Sequence, residues 1–192
     1  MYEEIQSLER ELNRIFALFE ALVEPSREEG SGKRIEPLLD EEARAEVVKH
    51  LLVRVCVYVE RAFKIILRKH AQMKAELVPT LSRYFIEVES LGETDKRGAN
   101  PSRNKILETL KKLDPVWSDQ FKERLTTQNL PRNLANDLDS IVNYRNAIAH
   151  TGTIPVQSTF SDVKQYFESA KLIIKQLFQI CRGQDQVVQE SS

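Results

Sequence analysis

Glycine is scarce in this 192-residue chain, with six in all, and tryptophan occurs once. So few glycines beside 30% charged residues suit an all-α protein better than a β-rich one. Cysteine is nearly absent too. Cys56 and Cys181 lie far apart in helix-like apolar runs, which excludes a disulfide framework and points to a reducing, cytoplasmic setting. An excess charge of one sign is also lacking. At a net −1 the chain has no global attraction to nucleic acid, so any anionic partner must be held by a local cluster. No apolar run reaches the length of a membrane span, because the greasiest stretch, LLVRVCVYVERAFKIIL, carries Arg54, Glu60, Arg61 and Lys64. The acidic, amphipathic start MYEEIQSLEREL does not read as a signal peptide. There are three histidines. His50 and His70 lie far apart on one predicted helix with no cysteine or acid at ligand spacing, so both read as surface residues and a metal site is disfavoured.

What is present is helical periodicity. At 41% hydrophobic, the chain can build the core of one domain, expected over 1–182, followed by a disordered tail at 183–192. Ile5, Leu8, Leu12, Ile15, Phe16, Phe19 and Leu22 predict a helix over 2–24, ended by Pro25. A polar linker over 25–39 leads to a long helix over 40–74, whose start is favoured by Asp40, Glu41 and Glu42. The centre of that helix, VRVCVYV, alternates like a strand, but strong helix formers flank it without a breaker. Val48, Leu51, Leu52, Val55, Val59, Ala62 and Ile66 share one face, with Val53 and Val57 on another. A helix apolar on two faces is central in a bundle or part of a subunit interface. Further helices are predicted over 76–90, 102–112 and 115–126, with a flexible loop at 91–104. Another starts with Pro131 near its first turn and breaks at Thr151-Gly152. An extended TIPVQ follows, and a last helix covers 159–182. No strand is expected.

The stretch NYRNAIAHTGTIP carries the chemistry. At 100° per residue, Leu134, Leu138, Ile141, Val142, Ile148 and Ala149 all fall within about 60° of Arg145. Arg145 therefore sits at the centre of an apolar stripe. A guanidinium cannot shed its charge, so it needs either a carboxylate of its own protein or an anion that arrives. Asn146 and His150 are neighbours on one flank. Arg145 and His150 diverge by about 140°, so they bracket one anion only in a groove at the helix end or in a cleft shared by two copies. The trio suits RNA phosphodiester cleavage without a metal. Histidine moves protons, arginine neutralises the phosphate, and asparagine orients one or the other. At a helix C-terminus the dipole favours the protonated form of His150, which suits a general acid.

Arg145-Asn146-x-x-x-His150, late in an all-helical chain and on the helix before the last, resembles the HEPN superfamily. The long helix with CVYVERAFK is most similar to the RiboL-PSP-HEPN group of RNases and toxins. HTG stands here where many members read HG. The resemblance implies a bundle of antiparallel core helices with an inserted pair of short helices, dimerising around the motif helices. It implies a metal-independent endoribonuclease, with no cofactor, that leaves a 2′,3′-cyclic phosphate. It also implies a role in a toxin–antitoxin or anti-phage defence system, beside an antitoxin or nucleotidyltransferase-like partner protein. Arg145, Asn146 and His150 take the family's catalytic roles by position, and Glu60 on the long helix is a supporting candidate. Within KRGANPSRNK, Lys96, Arg97, Arg103 and Lys105 are candidates to grip an RNA backbone, against the plainer reading of a solvated loop.

Plainer readings stand beside these. Arg145 could close a structural ion pair with Glu60 or Asp139, and His150 could be a helix-end residue favoured by the dipole. The same groove could belong to a non-catalytic nucleotide- or protein-binding module. Cys56, Trp117 and Phe121 read as packing residues, and Cys181 as lying near a frayed end.

Overall fold

Short polar side chains fix where the helices begin. In the computed structural model the described residues are 2–23, 26–27, 34–35, 39–75, 102–127, 132–154 and 158–189. They form α1 (Tyr2–Val23), α2 (Glu41–Ala75), α3 (Arg103–Leu113), α4 (Pro115–Thr126), α5 (Leu134–Thr151) and α6 (Phe160–Gln189). The first turn of a helix has N–H groups without intrahelical acceptors, and a capping oxygen satisfies one of them. Asp40 Oδ1 accepts from the Ala43 N–H at 2.8 Å. Ser102 Oγ accepts from Lys105 at 3.3 Å, and Asp114 Oδ1 from Val116 at 2.8 Å with Pro115 opening α4. Asn133 Oδ1 accepts from Asn136 at 3.1 Å. Thr159 and Asp162 cap each other: the Thr159 N–H donates to Asp162 Oδ2 at 2.8 Å, and the Asp162 N–H donates to Thr159 Oγ1 at 3.2 Å. At the far end of α5, Gly152 takes φ 68°, and its N–H closes the helix on the Ile148 carbonyl at 3.0 Å.

The all-helical expectation holds, and α2 is the central element, packing against α1, α5 and α6. Its strand-like centre is helical. Leu51, Leu52, Val55, Val59, Ala62 and Ile66 are fully buried, while Val53 and Val57 are half-buried on the other side. Phe16 of α1 stacks on Phe167 of α6 at 5.3 Å, and Tyr58 of α2 meets the same ring edge-on at 5.5 Å. The short pair α3 and α4 packs on the flank formed by α5 and α6, with Trp117 and Phe121 buried as expected. Arg124 ties α4 to α6 by donating to Gln176 and Gln179.

Several expectations need correction. His70 is buried, not exposed, because its ring packs edge-on against Trp117 at 4.4 Å. His50 is exposed as expected and accepts from Arg54 Nε at 3.2 Å. The polar linker contains a two-residue antiparallel ladder, Ser26–Arg27 with Arg34–Ile35, where no strand was expected. Helix α5 starts at Leu134 behind its Asn133 cap, and Pro131, expected near its first turn, lies outside the described residues. Helix α6 runs through Gln189 into the stretch expected to be a disordered tail, and Cys181 is buried within it rather than lying at a frayed end. Arg103 and Asn104, expected at the end of a loop, form the first turn of α3. The helix expected over 76–90, most of the loop at 91–104, and Pro155–Gln157 of the extended TIPVQ lie outside the described residues.

Two buried acids of high pKa give the fold a pH signature. Burial pushes the Cys56 thiol up to about 12, with the Arg145 cation pulling it down and Glu60 pushing it up. Burial also raises the Tyr58 phenol, helped by the hydrogen bond that its hydroxyl donates to Glu9 at 2.7 Å. Both groups are held neutral in the folded chain, while the unfolded chain releases their protons from 9.0 and 10.0 upward. Their contribution to stability is therefore complete below pH 9 and is lost as pH climbs through the folded values. Urea unfolding at pH 8 and pH 11 should show a marked fall at the higher pH, with a shallower slope in Cys56→Ala. Equal stability at both pH values would contradict this assignment.

Candidate functional site

Helix α5 divides into two parts. Leu134, Leu138, Ile141 and Val142 are buried against α2 and the other core helices. From Tyr144 to Ile148 every side chain is half-buried, and Ala149, His150 and Thr151 are exposed. The apolar stripe on which Arg145 lies continues through Ile148, half-buried against the core, to Ala149, which is exposed, so the cover of the core thins toward the helix end. Arg145 is thus half-buried rather than deep in the core as the stripe alone implied, which lowers the cost of holding its charge there.

Among the described residues the guanidinium has no carboxylate partner. Its Nη1 donates to the Asn146 side-chain oxygen at 3.3 Å, and no ion pair joins it to any described residue. The two acids that an internal pair would use are engaged elsewhere. Glu60 accepts from Lys64 at 2.7 Å, one turn along α2, and Asp139 pairs with Arg103 at 3.1 Å. Glu60 is nonetheless near the motif, since Glu60 and Arg145 both act electrostatically on the Cys56 thiol. Asn146 is half-buried beside Arg145, and His150 is exposed one turn further on, two residues before the Gly152 cap.

This arrangement can accept an anion. A half-buried cation without a carboxylate, an amide held against it and an exposed imidazole share the uncovered end of one helix. Removing Arg145 leaves no orphaned acid behind, so Arg145→Ala should shift the thermal midpoint by less than about 2 °C, the range of a surface substitution. A midpoint drop of 6 °C or more would reveal a structural ion pair instead.

Of the proposed RNA-gripping cations, Lys96 and Arg97 lie outside the described residues. Arg103 opens α3 and lines an open groove of about 500 Å³ between α3, α4 and the start of α5. Lys105 is exposed on the same helix but outside that lining. Arg103 pairs with Asp139, and neither it nor Lys105 forms an ion pair or hydrogen bond with Arg145, Asn146 or His150 among the described residues.

Sequence reasoning missed a polar cluster at the base of α5. Arg132 donates from Nε and Nη2 to the two oxygens of Asp137 at 2.7 and 2.9 Å, and also bonds Gln165. Ser169 Oγ donates to Asp137 Oδ2 at 2.5 Å, and the guanidinium lies 5.5 Å from the centre of the Tyr166 ring. The bond to Asp137 raises the Arg132 pKa above its ordinary value, against a lowering by burial. The Tyr166 phenol is pushed up to about 12, chiefly by burial and by its hydrogen bond with Tyr144. This cluster anchors the base of the motif helix to α6. The spacing of Arg132 and Asp137 was a weak local signal. Nothing in sequence pointed to Ser169, which meets Asp137 only through the fold.

Among the described residues, no group of three or more His, Cys, Asp or Glu side chains could hold a metal ion, and no helix is long and apolar enough to cross a membrane. A family model described as RiboL-PSP-HEPN matches residues 3–182. No curated protein and no solved structure gives a match.

Proposed function

Because this chain belongs to the RiboL-PSP-HEPN family, we propose that it is a metal-independent endoribonuclease acting as a homodimer, of the kind used in toxin–antitoxin or anti-phage defence. The observation that carries the proposal is the Arg145 guanidinium, half-buried at the open end of an apolar stripe and with no carboxylate partner among the described residues. A phosphodiester supplies the missing negative charge.

The roles follow from chemistry and position. Arg145 binds the scissile phosphate and stabilises the charge that grows on its oxygens in the transition state. Asn146 holds the guanidinium in place through its side-chain oxygen. His150, reachable from solvent, transfers protons between the ribose 2′-hydroxyl and the leaving 5′-oxygen. Attack by the 2′-oxygen on phosphorus forms one P–O bond as the bond to the 5′-oxygen breaks, giving a 2′,3′-cyclic phosphate and a 5′-hydroxyl. A second copy packed on Ile148 and Ala149 would cover the stripe and exclude water from the site, and the divergence of Arg145 and His150 favours such a composite cleft.

The test is RNA cleavage by the purified protein in EDTA, with the new 3′ ends characterised chemically. Cyclic phosphate ends that disappear in His150→Ala support the reading. Intact RNA, together with nucleotide or protein binding that depends on Arg145, would replace it with a non-catalytic binding module.

A further inference from the structure

An open groove and the Asn146–His150 flank of the motif lie on the same side of α5. The groove, about 500 Å³, is lined by Arg103 and Lys111 from α3, Lys122 from α4 and Ala135 from α5, with Leu107 and Leu125 supplying apolar surface. Lys111 and Lys122 are exposed and neither has an ion-pair partner among the described residues. Asp119 is the one acid in the lining, and the Arg103–Asp139 pair is more than a third exposed on both sides. In a chain of net charge −1, this is a local excess of positive charge.

Helix geometry connects the groove to the motif. Residues eleven apart on an α-helix are nearly in line. Ala135 aligns with Asn146, and Asp139, the partner of Arg103, aligns with His150. All four fall within about 60° of one another on the wheel. Asn143, between them on the same flank, is exposed. On this flank Ala135 is buried, Asp139 and Asn146 are half-buried and His150 is exposed, so exposure grows from the groove toward the imidazole over about 22 Å from Ala135 to His150 at 1.5 Å per residue. That span holds about six stacked nucleotides at 3.4 Å each.

We infer that this groove is a backbone-binding tract for single-stranded RNA, with Lys111 and Lys122 holding phosphates about six nucleotides from the scissile bond. The inference rests on the nuclease reading only for the position of the cut. The ammonium groups serve as point charges for phosphates, and the half-buried Leu107 offers apolar contact for unstacked bases.

The experiment uses the full chain carrying His150→Ala, so that RNA is bound but not cut, and measures the affinity of labelled single-stranded RNAs of four and twelve nucleotides. Affinity should rise at least tenfold from the shorter to the longer RNA. The added substitutions Lys111→Glu and Lys122→Glu should abolish that rise and lower the salt slope for the longer RNA by about 1.4, or 0.7 per lost phosphate contact. Lys175→Glu, an exposed cation on α6, should change nothing. If the charge-reversed chain folds poorly, Lys111→Gln with Lys122→Gln repeats the measurement. A rise with length that survives both pairs overturns the inference, and so does displacement of RNA by polyglutamate as effectively as by unlabelled RNA, which marks a site for acidic polypeptide. If the parent chain with His150 intact cuts no RNA yet the length effect still depends on the two lysines, the tract stands and the nuclease reading falls.

Discussion

His150→Ala should lower RNA cleavage by about 10³-fold, the usual scale for losing a positioned proton-transfer group. The same variant should fold normally. The imidazole is exposed, and the helix end around it is closed independently by Gly152, whose N–H bonds the Ile148 carbonyl, and by Thr151, whose hydroxyl bonds the Ala147 carbonyl at 2.8 Å. The comparison that matters is rate against melting temperature: a large loss of rate at an unchanged midpoint assigns His150 to chemistry. Residual cleavage within tenfold of the parent, at equal protein concentration and in EDTA, would remove His150 from the mechanism. A tight RNA complex in the variant would show that Arg145 still captures the phosphate when proton transfer is gone.

Asp137→Ala should lower stability by about 3 kcal/mol. Its carboxylate is 7% exposed and accepts three hydrogen bonds, two from Arg132 and one from Ser169. Removing it leaves a buried hydroxyl and a guanidinium without their acceptor. For a chain of this length the midpoint should fall by roughly 6–12 °C. Asp137→Asn keeps an oxygen for one donor and should cost less. The effect should fall on stability first, with cleavage lost only as α5 loosens from α6. A shift below 2 °C in Asp137→Ala would show that Arg132 and Ser169 find other partners.

The helices were legible because their signals are local. Periodic apolar residues marked α1 and α6, and the strong helix formers on both sides of VRVCVYV correctly outweighed its strand-like alternation. The caps at Asp40, Ser102, Asp114 and Thr159 are short polar residues just ahead of periodic runs. At the start of α5 the cap is supplied by Asn133, another short polar residue just ahead of a periodic run. At the site, the wheel set Arg145 among apolar neighbours, but it could not show that the cover of the core thins to half-burial after Val142. How far a helix projects beyond its neighbours is a tertiary property. For the same reason His70 was misplaced, since its cover is a tryptophan 47 positions away in sequence. The groove cations were only half legible: Arg103 stood out in a basic run, while Lys111 and Lys122 come together only when α3 folds against α4.

Cys56 has a practical consequence. A thiol this deep and this reluctant to ionise reacts with alkylating reagents only when the packing around it briefly parts. It lies within the electrostatic reach of Arg145, so its labelling rate is a native clock for how often the helix bearing the motif lifts from the long helix beneath. A ligand that clamps the guanidinium should slow that clock, giving a reporter of occupancy that needs no substituted residue.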